Sequence, residues 1–215
     1  MPTRSIVLAG ATGLVGRALL DGLLADDSVG MVHVLARRDL DRTSPKLTSY
    51  TVDFAALAPF PTVDEVYLAL GTTIKVAGSQ AAFRAVDFDA NLAVARAAGA
   101  AGAKRAGLVS AMGADRGSRV FYNRVKGELE DALRDLPFDG LVIARPSLLV
   151  GDRAALGQPP RVGEQIGDLV GRLFGPLVPR NYRPIAATRV AHALLCAVPH
   201  ARGPEVLLSG TMNTA

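Results

Sequence analysis

The chain has 215 residues, a net charge of +4, 49% hydrophobic and 20% charged residues, 5% aromatics, 22 glycines and a single cysteine. Such a composition excludes a disordered, collagenous or disulfide-stapled chain. The length leaves room for one full domain with a small lobe, not for two large domains. The longest apolar stretches meet Gly or charge before the roughly 18 residues a membrane span needs. No basic run is interleaved with aromatics, so neither a membrane nor a nucleic-acid partner is expected.

Met1-Pro2-Thr3-Arg4 leads directly into a strand-like run with no cleavage region, which sets the expectation of a cytoplasmic protein. Ser5 to Ala9 reads as a buried parallel strand ending at Gly10. Leu14, Val15, Ala18, Leu19, Gly22 and Leu23 then recur at helical spacing. A second strand is predicted at Met31–Ala36, a third closing at Tyr50-Thr51-Val52, and a fourth from Val63 to Leu70. A long Ala-rich helix is predicted over about 80–100, a fifth strand at Arg105–Ser110, a helix over about 121–136 and a sixth strand at Leu141–Arg145, stopped by Pro146.

Strands alternating with helices predict an α/β fold, a doubly wound parallel sheet with right-handed crossovers, over residues 1–150. Residues 151–184 become Gly-, Pro- and Arg-rich, with a short helix expected at about 164–174. Thr188 is the candidate N-cap of a helix to Val198, and Glu205–Leu208 a candidate final strand. Residues 151–215 are thus expected to form a small substrate-side lobe within the same domain. They hold seven arginines against four acidic residues, which read first as solvated surface and, at Arg153, Arg161 and Arg180, as side chains that could reach an anionic substrate group. Cys196, in Ala-Leu-Leu-Cys-Ala-Val, is expected on a buried helix face, and nothing near it spaces like a metal site.

The first strand is followed by Gly10, Ala11, Thr12, Gly13, Leu14, Val15 and Gly16, a G-x-x-G-x-x-G pattern opening a helix. Gly10 suits a tight turn, Gly13 a close backbone approach to pyrophosphate, and Gly16 close helix–strand packing. The helix N-terminus offers its N–H groups to the phosphates, so a dinucleotide is expected here. NAD sites carry an acidic residue about 20 residues further on. This chain has Arg37 and Arg38 there, and guanidinium matches the 2′-phosphate of NADP(H) better than it serves NAD(H). Asp53 and Phe54 after the third strand, and Leu70, Gly71 and Thr72 after the fourth, fit the adenosine half.

Tyr122 and Lys126 form a Y-x-x-x-K pair, one turn apart on one helix face. A nearby ammonium lowers a phenol's pKa, so Tyr122 can exchange a proton with a substrate oxygen while hydride moves at carbon. Ser110 stands at the C-terminal end of the fifth strand, where its hydroxyl would orient a substrate carbonyl.

Gly10–Gly16, Ser110, Tyr122 and Lys126 resemble the short-chain dehydrogenase/reductase superfamily. Leu70 to Thr73, Ala77-Gly78, Val86-Asp87, Gly113-Ala114-Asp115, Tyr122 through Glu128 and Arg145-Pro146 resemble its atypical members, particularly the group of the mammalian Tat-interacting NADPH-binding oxidoreductase. The resemblance implies a Rossmann domain binding NADP, with Ser110, Tyr122 and Lys126 as the catalytic set. It also implies that the segment after Arg145 and Pro146 packs near the nicotinamide. Ala111 stands where relatives often keep a second hydroxyl residue, and Asp87 where extended relatives keep an Asn, with Asn91 one turn on. Two functional expectations follow: an NADP-dependent oxidoreductase or epimerase-like enzyme acting on a small carbonyl or alcohol, and a non-catalytic NADPH-binding regulator with a protein partner. The predicted helices at 80–100 and 121–136 are candidate homodimer faces.

Overall fold

A computed structural model describes residues 3–59, 61–151 and 179–214. Seven parallel strands form its centre: β1 (Arg4–Ala9), β2 (Val29–Ala36), β3 (Leu47–Thr51), β4 (Glu65–Leu68), β5 (Arg105–Val109), β6 (Gly140–Arg145) and, further along the chain, β9 (Gly203–Leu208). Their order across the sheet is β3-β2-β1-β4-β5-β6-β9. A two-stranded parallel ribbon, β7 (Leu149–Val150) with β8 (Ile185–Ala186), stands beside it.

Period-2 alternation explains why the sheet is covered on both faces. Ile6 and Leu8 of β1 point into one apolar layer with Leu19, Leu20, Val190 and Leu194. These last four come from α1 (Leu14–Ala25) and α6 (Ala187–Ala197). Val7 and Ala9 point into the opposite layer, with Leu92 and Val94 of α4 (Asn91–Ala100) and Leu129 and Leu133 of α5 (Phe121–Arg134). A fully buried Leu or Val contributes about 1.5–3 kcal/mol, so both layers hold the sheet, and the buried run from Ile6 to Ala9 leaves no place for a polar side chain. This is the doubly wound arrangement that the strand–helix alternation predicts.

Several local features differ from the sequence expectations. The helix expected over 80–100 is divided into α3 (Gln80–Arg84), a π turn (Ala85–Ala90) and α4. A short α2 (Ile74–Ala77) precedes it, capped by the Thr73 hydroxyl, which accepts from the Val76 amide. Thr188 is not the N-cap of α6. Ala186 takes that place without a side-chain cap, because pairing of β8 with β7 already holds it extended.

Cys196 is exposed rather than buried. Val190, Ala191 and Leu194 of α6 lie in the buried layer shared with α1, Leu195 stands against Gly22 of α1, and Cys196 lies off that face, with its sulfur 3.7 Å from His192 Nε2. The expected strand at Glu205–Leu208 is present and begins two residues earlier, paired in parallel with β6. The helix expected at about 164–174 lies outside the described residues. No helix among those described is long and apolar enough to cross a membrane.

Candidate functional site

Because every strand of the large sheet runs the same way, the C-terminal ends of the strands share one edge. Gly10, Arg37, Asp53, Leu70, Ser110 and Pro146 all follow strands on that edge. The chain steps outward from β1 to β2 and β3, then returns to place β4 on the other side of β1. Ligands of open α/β sheets sit in the crevice where the strand order reverses in this way.

At that reversal the backbone comes unusually close. Gly10 has φ +91°, and a Cβ there would lie 2.4 Å from the carbonyl carbon of Ala69. A Cβ on Gly16 would lie 1.9 Å from Gly10 O, so α1 packs directly on the turn that precedes it. A Cβ on Gly13 would meet only Gly10 O, at 3.5 Å. Gly13 is also the N-cap of α1, and no side chain caps the helix. The first amides of a 12-residue helix are therefore free of a side-chain acceptor, with Leu14, Val15 and Gly16 opening the helix and Ala11 and Thr12 forming the turn. Such a cradle fits a pyrophosphate, whose oxygens are the acceptors it lacks.

Arg37 and Arg38 are exposed immediately beyond β2. The nearby carboxylate of Asp39 accepts from the Thr51 hydroxyl at 2.9 Å. Asp53 is exposed and its Oδ1 accepts from the Ala55 amide at 2.9 Å, while Phe54 and Leu70 are partly buried against the core. Leu70 O accepts from Asn91 Nδ2, and the Thr72 amide donates to Asp87 Oδ2 at 2.9 Å.

Tyr122 and Lys126 open α5. The Tyr122 ring leans on buried Phe83 of α3 with centroids 5.4 Å apart, and Phe121 meets the same ring edge-on. Lys126 is buried and its Nζ lies 2.8 Å from Asp87 Oδ1. The helix reaches this position because Gly127 has no Cβ: one would lie 2.2 Å from the Arg116 amide. Ser110 follows β5 as predicted, and its Oγ donates to Glu130 Oε1 at 2.5 Å. Glu130 is fully buried and also accepts from Arg145, at 3.0 Å from Nε and 2.5 Å from Nη2. The guanidinium of Arg145 is thereby engaged beside α5, and buried Pro146 is the residue that continues the crevice edge.

Glu130, Phe83 and Gly127 escape a reading of the sequence, as does the pairing of Asp87 with Lys126. The repeat of Lys126 and Glu130 at i and i+4 is the one available signal, and it also describes any solvated helix face. Arg153 and Arg161 lie outside the described residues, whereas Arg180 opens a 3₁₀ turn (Arg180–Tyr182) and is exposed. No group of three metal-ligating side chains occurs among the described residues.

No family model matches the chain. Among curated proteins it is 33% identical over 185 residues to the protein fmp52, mitochondrial, of Emericella nidulans, covering 80% of this chain and 78% of the relative. It is 36% identical over 184 residues to the protein HTATIP2 of Rattus norvegicus, covering 82% and 73%. Among solved structures it resembles an oxidoreductase of the short-chain dehydrogenase/reductase family from Burkholderia thailandensis. The TM-score is 0.67 at 19% identity, over 99% of this chain and 94% of the other. It also resembles the Bordetella bronchiseptica enzyme WbmG in complex with NAD, with a TM-score of 0.69 at 16% identity, over 97% and 73%. The relatives named as mitochondrial overturn the expectation of a cytoplasmic protein.

Proposed function

Since the chain belongs to the group of atypical short-chain dehydrogenases/reductases that includes HTATIP2 and the FMP52 proteins, we propose that it is an NADP-dependent oxidoreductase acting on a small carbonyl or alcohol. The observation that carries this reading is the placement of Tyr122 and a buried Lys126 one turn apart on α5, in the helix that follows the β5 end of the crevice edge. The glycine cradle of Gly10, Gly13 and Gly16 stands on the same edge.

When bound, the nicotinamide ring would supply hydride to the substrate carbon. Tyr122 would give its phenolic proton to the carbonyl oxygen in reduction and take it back in oxidation. Phe83 limits the tilt of its ring. Lys126 would hold the nicotinamide ribose beside Tyr122, one turn before it on α5. Beside the Glu130 carboxylate, which also accepts from Arg145, Ser110 donates its own proton. Its lone pairs are then what it offers, to the Tyr122 hydroxyl or to a substrate hydroxyl. NADP rather than NAD is favoured by the exposed Arg37 and Arg38, and by Asp39 being engaged with Thr51.

The test is turnover of an aldehyde and ketone panel with NADPH, run beside Tyr122→Phe. The reading expects activity that falls about 10²-fold or more in the variant. Absence of turnover on every substrate with intact NADPH affinity would replace the enzyme with a cofactor-binding regulator.

A further inference from the structure

Lys126 is almost fully buried, and so is the acid that faces it. The residue is 3% exposed and Asp87, its partner, 1%. Asp87 projects from the π turn between α3 and α4, and Oδ1 faces Lys126 Nζ at 2.8 Å with no hydrogen-bond donor of its own besides that ammonium among the described residues. Oδ2 takes the Thr72 amide at 2.9 Å. A Cβ on Gly71 would lie 3.6 Å from Asp87 Oδ1 and 4.0 Å from Lys126 Nζ, so the loop after β4 lies directly on the pair.

Other groups around Lys126 do not replace Asp87. On α5 itself stand Tyr122 one turn before and Glu130 one turn after. The charge of Glu130 is taken by Arg145 and Arg134, with Ser110 as a further donor. From α3 comes the neutral ring of Phe83, and Arg84 pairs with Glu128. The loop contributes backbone at Gly71 and Thr72. Burial alone drives a lysine toward its neutral form. It acts on Lys126 in that direction, yet the Asp87 carboxylate, aided by Tyr122 and Glu130, leaves the ammonium more firmly protonated than an ordinary lysine.

We propose that Asp87 is a positioning residue of the Tyr122–Lys126 pair: its carboxylate keeps the buried Lys126 charged and, through the Thr72 amide, ties that charge to the loop that follows β4. The functional consequence rests on the reading of Tyr122 and Lys126 as the proton-handling pair. The electrostatic part stands independently of it. A neutral amide at position 87 would fill the same space and accept the same Thr72 hydrogen bond, but would not hold a charge opposite.

The chain has only four lysines, Lys46, Lys75, Lys104 and Lys126, which makes the charge directly observable. The 215-residue chain labelled with ε-¹³C lysine gives four resonances, and Lys126→Gln identifies the one of interest. In the wild type the Lys126 resonance should stay in its protonated position until after the other three have begun to titrate. In Asp87→Asn its midpoint should fall by about two pH units or more, and in Asp87→Glu it should remain high. A wild-type Lys126 that titrates with or before the other lysines overturns the proposal, even if Asp87→Asn does not fold. So does a folded Asp87→Asn with an unchanged midpoint. These measurements need neither substrate nor cofactor. If the titrations behave as expected while no substrate turns over, the oxidoreductase reading fails alone. If turnover is found, Asp87→Asn should move the alkaline limb of its pH profile, whereas a purely structural defect would lower the rate at every pH.

Discussion

Ser110 and Glu130 are twenty positions apart in the chain and 2.5 Å apart in space, joined across the interface between the end of β5 and the buried face of α5. The contact fixes which way a hydroxyl at the crevice edge points, and the same carboxylate pairs with Arg145, the last residue of β6. Three adjacent elements are thus joined through one fully buried acid.

Removing that acid should be costly. Glu130→Ala takes from the Arg145 guanidinium the carboxylate it is paired with, and breaking a buried ion pair from one side costs about 3–5 kcal/mol. Arg145 is partly exposed and can reach water, so the lower end of that range is expected. Urea denaturation of the variant should show the loss. Glu130→Gln should lose less, since the amide oxygen still accepts from Ser110.

Gly16→Ala should damage both stability and cofactor binding. Its Cβ would meet Gly10 O at 1.9 Å, a backbone atom that cannot turn aside. Relief requires α1 to move away from the turn, at a cost of about 1–3 kcal/mol typical of overpacking. The same movement withdraws the helix N-terminus from the phosphates. Thermal denaturation and NADPH fluorescence titration should fall together. Gly78→Ala, whose Cβ would meet nothing within 4 Å, serves as the comparison, with strain only from its φ of +86°.

Replacing Arg37 and Arg38 together with alanine should weaken NADPH binding with little effect on NADH. Each charge-assisted hydrogen bond lost is worth about 1.5–3 kcal/mol, so the affinity for NADPH should drop at least about tenfold. Equal loss for both cofactors, or none, would show that these side chains do not read the 2′-phosphate.

His33 gives the fold a dependence on acid. It is buried on β2 with Nδ1 3.3 Å from the Tyr50 hydroxyl, and burial pushes its pKa below the ordinary histidine value. The neutral form is therefore the one that fits. Its contribution to stability is complete above the unfolded value of about 6.5 and is lost as pH falls through that value toward the folded one. Denaturation midpoints should decline between pH 7 and pH 5, and His33→Asn should flatten the part of that decline owed to this residue.

The sheet was legible because its signals are strong and local. Strands buried on both faces are continuous apolar runs, and the glycine cradle is defined by contacts only a missing Cβ allows. Tyr122, Lys126 and Ser110 were legible as residues, but not their partners. Asp87 lies in a π turn, and nothing in an Ala-rich segment marks where a helix takes in one extra residue. The stripe of α6 was misread for a related reason: with alanines on most sides, composition does not say which side Cys196 takes. Glu130 was hidden because a buried acid and a solvated one look alike until their arginine is placed.

The last consequence concerns Ser147. Its amide donates to Ser209 Oγ at 2.7 Å, and its hydroxyl donates to the carbonyl of Arg183. Ser209 follows β9 and begins α7 (Ser209–Met212). The phosphate cradle, by contrast, involves only residues from Gly10 to Leu70. During synthesis the chain therefore has every residue of the cradle long before it has the partners that fasten the backbone after Pro146. A domain folds as a unit, however, and α1 shares its buried layer with Val190 and Leu194 of α6, so the cradle is held in place only once those later partners have been made.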